Sequence, residues 1–134
     1  MMRGTPHSLT VLVREDGEPM EAQGEGGYGV LERYRQISSG LIGGGIEGVA
    51  VLRNASPTWN DALEAYTLPF YSRAQLPSKK NFHMVRPAAP DDVLLLFGKK
   101  CKAGSITSFS LDFCRPLSAL AAFGIALSAF GDST

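Results

Sequence analysis

Pro116-Leu-Ser-Ala-Leu-Ala-Ala-Phe-Gly-Ile-Ala-Leu-Ser-Ala-Phe130 decides the architecture. From Leu117 to Phe130 only Ser118, Gly124 and Ser128 are not apolar. Leu120, Phe123, Leu127 and Phe130 recur at helical spacing and form one bulky stripe, while Ala121, Gly124 and Ser128 form a second stripe of small residues. Pro116 suits the first turn of a helix, where its missing N–H costs nothing. A helix that is apolar all round must be surrounded by protein or by lipid. At 1.5 Å per residue this one spans roughly 21 Å, short of a bilayer core of about 30 Å. The expectation is therefore a buried helix enclosed by strands, with the small stripe letting them approach closely.

Upstream, the chain reads as strands. Residues 8–13 (SLTVLV) are apolar and β-branched. Residues 14–29, rich in glycine and glutamate, read as an exposed loop, and so does the glycine-rich stretch 38–48. Between them Leu31, Tyr34 and Ile37 fit either a strand or a short helix. Val49–Leu52 is a short strand closed by Asn54 and Pro57. Tyr66, Leu68 and Phe70 alternate with period two, as a half-buried strand should. Phe82, Met84 and Val85 begin another strand, and Val93–Phe97 is a buried one ending at Gly98. Residues 99–105 read as a polar loop with three lysines, and Ile106–Phe113 alternates again. Six to eight short strands followed by one helix give a mainly β class, barrel or sandwich. Residues 1–134 show no internal repeat and no boundary, so they form one domain.

The residue types in one long run are unusual enough to carry a resemblance. It reads Asn54-x-x-Pro57-x-Trp59-Asn60, then Tyr66-x-Leu68-x-Phe70-x-x-Arg73, then Ser78-x-Lys80-Asn81-Phe82. Phe97-Gly98-Lys99, Phe109-x-Leu111-Asp112-Phe113-x-x-Pro116-Leu117 and Ala122-Phe123-x-Ile125-Ala126-Leu127 follow. This pattern resembles the C-terminal half of the tubby domain, without a gap from Asn54 through the Lys80-Asn81-Phe82 signature. The departures are Pro69, Ser72, Ala121 and Gly131, and a longer loop from Lys99 to Ser108. The resemblance implies a partial antiparallel tubby-like β-barrel around a central hydrophobic C-terminal helix. It also implies a non-enzymatic, membrane-tethered adaptor that binds phosphoinositide head groups and acts in trafficking, including to cilia. The family's own basic head-group site lies in the N-terminal half, which has no counterpart among these residues, so none of its residues carries over. The alternative expectation is a structural or interaction module, a half-barrel completed by another chain that supplies the missing strands, without a lipid site of its own.

Composition narrows the function further. The 134 residues are 44% hydrophobic and 19% charged, enough apolar material for a core and too few charges for a disordered tail. Thirteen basic and thirteen acidic residues cancel, so no whole-chain field steers toward nucleic acid, and no nucleic-acid partner is expected. The start lacks the apolar region of a signal peptide, and Cys101 and Cys114 form no CxxC pair. Both read as reduced thiols of a cytoplasmic protein, peripheral on the plasma or ciliary membrane.

Site by site, the bland reading prevails. The glycines of 40–48 lack the lysine of a phosphate loop. His7 and His83 make no metal-ligand spacing, and Asp91-Asp92 reads as a turn rather than as paired catalytic carboxylates. No catalytic residue, metal or cofactor is expected. Trp59 reads as a barrel-packing aromatic. Lys79, Lys80, Lys99, Lys100 and Lys102 are the basic clusters, placed on loops, and each is worth ~1 kcal/mol against an acidic leaflet. They are the candidate lipid contacts, expected to be weak because no arginine fork accompanies them.

Overall fold

Phe82 and Met84 point to one face of their strand and His83 to the other, as do Leu95 and Phe97 against Leu96. That alternation splits the core into two clusters, one on each side of a single sheet. The computed structural model describes residues 8–19, 24–40, 45–78 and 80–130. Along them run β1 (Thr10–Arg14), α1 (Gly24–Ser38), β2 (Val49–Asn54), β3 (Thr58–Asn60) and β4 (Ala65–Thr67). Next come β5 (Phe82–Arg86), β6 (Ala89–Ala103), β7 (Ile106–Phe113) and α2 (Ala119–Ser128).

Five strands form one antiparallel sheet in the order β1-β2-β5-β6-β7, and β3 and β4 pair separately as a hairpin. The sheet is a curled half-barrel, with β1 and β7 as its edges. Its inner face buries Ala50, Leu52, Phe82, Met84, Leu95 and Phe97 against Leu117, Ala122, Ile125 and Ala126. Its outer face carries the smaller cluster of Leu68, Phe70 and Leu96. The strand count and the antiparallel pairing match the expectation from the alternating pattern.

Several expectations are corrected. There are two helices among the described residues, not one. The stretch 14–29 is not a loop throughout: α1 begins at Gly24 and runs to Ser38. Leu31, Tyr34 and Ile37 sit on one helical stripe, and the backbone hydrogen bonds of a helix prevail over the local glycine content. Residues 99–105 are not a loop up to Ala103, because β6 continues through Gly98 and the lysines and pairs with β7 as far as Ala103↔Ile106. Leu68 and Phe70 are buried at 7% and 5% exposure but lie beyond the end of β4, where Pro69 has no N–H to give a ladder. Pro116 precedes α2 rather than opening it. Ser118 is the N-cap, and its hydroxyl accepts from the Ala121 N–H at 3.1 Å.

The largest correction concerns α2. The helix is central to the half-barrel, but only its Ala122, Ile125 and Ala126 side is buried. Leu120, Phe123, Leu127 and Phe130 are 77%, 57%, 52% and 46% exposed. The small stripe does not make the seam either, since Gly124 and Ser128 are exposed and Ala121 is half-buried. Leu120, Phe123 and Leu127 turn outward, while Phe130 reaches back to the rings of Phe97 and Phe109. Phe123 in particular is a surface residue of this fold.

Candidate functional site

The Lys80-Asn81-Phe82 signature has a structural explanation, one residue at a time. Phe82 pairs with Phe97 across β5 and β6, ring centroids 5.8 Å apart, in the inner core. Asn81 is fully buried, at 0% exposure. Its Nδ2 donates to the Leu76 carbonyl at 2.9 Å, and its Oδ1 accepts from the Lys99 N–H at 2.7 Å. It thereby ties the 70–81 connection to β6 and satisfies two part-buried backbone groups at once. Lys80 turns to the helix side and holds its Nζ 5.4 Å from the Phe130 ring centroid. Phe130 in turn meets Phe97 at 6.0 Å and Phe109 at 5.4 Å, so the end of α2 is pinned to the sheet by aromatic edges.

The same connection is fastened at three more points. Gln75 and Leu76 donate their N–H groups to the Lys99 carbonyl at 3.0 and 3.1 Å. The Arg73 guanidinium grips the Asp112 carboxylate with two hydrogen bonds, 2.7 and 3.1 Å, and the Arg73 carbonyl accepts from the Ser110 hydroxyl. Gly98 lies directly under Ala74: a Cβ added there would stand 2.5 Å from the Ala74 Cβ, so the strand must carry glycine at that crossing.

These fastenings fix where the lysines lie. Phe82 faces Phe97, so Lys80, just upstream of β5, and Lys99, further along β6, come to the same end of the sheet. Lys100 bends to the other side, across an irregularity in the β6–β7 register, and donates from Nζ to the Ser72 carbonyl at 2.7 Å. Lys102 is exposed opposite Thr107, near the tip of the β6–β7 hairpin. Lys79 lies outside the described residues. Lys80, Lys99, Lys100 and Lys102 therefore share one end of the half-barrel on a strand and its approach, not on loops. Lys80 is already engaged with a ring and Lys100 with a carbonyl. Among the described residues no group of three or more histidine, cysteine or acidic side chains could hold a metal, and Cys101 and Cys114 are free and exposed.

Two features had little signal in the sequence. Trp59 does not pack a barrel. It is 53% exposed on β3, facing Tyr66 of β4 edge-to-face with ring centroids 5.2 Å apart. Pro57 leads into that hairpin, and Asn60 Oδ1 caps its turn by accepting from the Leu63 N–H at 3.1 Å. His83, by contrast, is 1% exposed on the outer face of β5, edge-on to Phe70 at 4.5 Å, and its Nε2 has no hydrogen-bond partner. Burial pushes its imidazole down to about 4.

The model of the Tub family matches residues 5–132. The chain belongs to the Tub family. Tubby protein homolog 1 of Caenorhabditis briggsae is 38% identical over 101 residues, covering 75% of this chain and 23% of that protein. Protein king tubby 2 of Aedes aegypti is 33% identical over 129 residues, covering 93% of this chain and 29% of its own length. Tubby-related protein 1 of Homo sapiens is 37% identical over 129 residues, 93% of this chain and 22% of that protein. The tubby-like chain thus spans under a third of the curated relatives it matches. Among the described residues no helix is long and apolar enough to cross a membrane.

Proposed function

We propose that this tubby-like chain is a non-enzymatic module of the phosphoinositide-binding, membrane-tethered adaptor class, acting in trafficking, including at the cilium. The reading rests on its membership of the Tub family over residues 5–132. The chemistry available for it is the basic sheet end: Lys99, Lys100 and Lys102 on β6 with Lys80 beside them, joined by Lys79 from the sequence. These are point charges without an arginine fork, so the contact is with charge rather than with one head-group stereochemistry. Co-sedimentation with vesicles carrying phosphatidylinositol 4,5-bisphosphate, or equal charge as phosphatidylserine, tests it. The expected result is weak binding to both that collapses between low and physiological salt, where the screening length falls to about 8 Å. Binding to neither at low salt would refute lipid contact by these lysines.

A second reading is favoured by the bare side of α2. A stripe of Leu120, Phe123 and Leu127 on the open side of a half-barrel suits an interaction module whose barrel is completed by strands from another chain, with no lipid site of its own. Sedimentation equilibrium separates the two. A monomer that binds no apolar dye and still sediments with vesicles supports the first reading, and an associating chain indifferent to vesicles supports the second.

A further inference from the structure

We infer that the β3–β4 hairpin is a docking finger for a protein segment carrying arginine or lysine. The inference is independent of the lipid reading, since it uses none of the lysines.

The hairpin displays Trp59, Leu63 and Tyr66 at 53%, 59% and 63% exposure. It pairs with no strand of the main sheet, yet its base is anchored, because Leu68 and Phe70 directly after β4 are buried against Leu96. Its own turn is internally bonded. Asn60 Oδ1 accepts from the Leu63 N–H, and the Asp61 carbonyl accepts from the Glu64 N–H at 3.4 Å, with Glu64 held at φ +48°. A left-handed glutamate is a costly conformation that a flexible loop would shed.

The indole is also prepared. Its Nε1–H already donates to Asp61 Oδ1 at 2.8 Å, and the indole and the Tyr66 ring meet in a T-shaped contact. The polar edge of the ring is therefore satisfied inside the hairpin, and the indole stays 53% exposed beside the Asp61 carboxylate. From Ala55 to Ser72 the charged side chains are Asp61 and Glu64 alone, with no lysine or arginine. The basic residues just beyond that segment are committed elsewhere, Arg53 to the Tyr34 hydroxyl and Arg73 to Asp112. Two negative charges on an aromatic finger of a net-neutral chain select the occupant. An acidic leaflet is repelled, and a neutral apolar surface would strip water from two carboxylates without compensation. A guanidinium or ammonium laid on the indole gains the ring and the carboxylate together, and the planar guanidinium gains more.

Trp59 is the only tryptophan of the chain, so its emission reports this site directly. The full chain is titrated at low salt with hexa-arginine, hexa-lysine and hexa-glutamate peptides, and with phosphatidylcholine vesicles. A saturable change in emission is expected with hexa-arginine, a weaker one with hexa-lysine and none with hexa-glutamate. The double variant Asp61→Asn/Glu64→Gln keeps the acceptor for the indole N–H, and its unchanged baseline emission checks the hairpin. It should weaken binding about five-fold, in line with the loss of exposed ion pairs. An emission change with hexa-glutamate, a response to vesicles alone, or unaltered arginine binding by the double variant would each overturn the inference. The vesicle response would make the finger a membrane anchor instead.

Discussion

Lowering the pH from 7 to 5 should destabilise the fold through one residue, His83. Its imidazole is 1% exposed with an unpartnered Nε2, and burial pushes its pKa down to about 4 from 6.5. The folded chain thus keeps His83 neutral while the unfolded chain takes up a proton below about pH 6.5. The unfolded state binds more protons between those two values, so stability is complete above pH 6.5 and declines as pH falls toward 4. The full difference corresponds to about 3 kcal/mol, of which about 2 kcal/mol is already lost at pH 5. Glu15 and Asp16, whose carboxyls are held low by Arg86 and by local hydrogen bonds, contribute only at the acid end of the range. The assay is urea unfolding followed by far-ultraviolet circular dichroism at pH 7, 6 and 5. His83→Met, similar in volume and unable to titrate, should flatten the dependence; His7 is common to both chains and drops out of the difference. Should His83→Met fold poorly, a ring-proton NMR titration of the wild type replaces it. Equal stability at pH 7 and 5, an equal slope in His83→Met, or a His83 ring titrating near 6.5 would refute the argument.

Other predictions follow from the packing. Gly98→Ala should cost about 1–3 kcal/mol in urea unfolding through its collision with Ala74, and Ala74→Gly on top should recover part of the loss. Asn81→Ala should cost about 2–4 kcal/mol, since it strands the part-buried Lys99 N–H and Leu76 carbonyl; an effect below 1 kcal/mol would remove the proposed tie. Ile125→Ala should cost about 2–5 kcal/mol, whereas Phe123→Ser, at an exposed position, should change stability by under about 1 kcal/mol and lower dye binding and self-association. Comparable losses for the two would mean that the helix is enclosed after all.

The sequence disclosed the β-rich class and the helix because both rest on periodicity, which burial imposes directly. Phe82, Met84, Leu95 and Phe97 are readable as one face since alternate residues share a side. It also disclosed the family, through a motif whose members turn out to clasp one connection to β6. Exposure was not readable. An all-apolar α2 looks identical whether one face or every face is covered, because coverage depends on strands outside the segment. Trp59 looked like core for the same reason: an indole in a strand is normally buried, and only the detachment of β3 and β4 from the main sheet leaves it outside. The lysines of β6 looked like a loop because nothing local reveals that β7 will pair alongside them. His83 gave no signal, since an orphaned nitrogen is defined by neighbours distant in sequence.

The ammonium of Lys80 resting on Phe130 puts two tasks on one charge. An anion that drew this lysine away from the ring would take one contact from Phe130, leaving it on Phe97 and Phe109. Conversely, whatever seats Phe130 more firmly withholds a cation from the basic end of the sheet. An exposed cation–π contact is worth about 0.5–1 kcal/mol, so the two equilibria oppose each other by a factor of roughly two to five. If these lysines capture charge as proposed, that capture and the seating of Phe130 would be reciprocally linked, and the coupling would run through a single side chain.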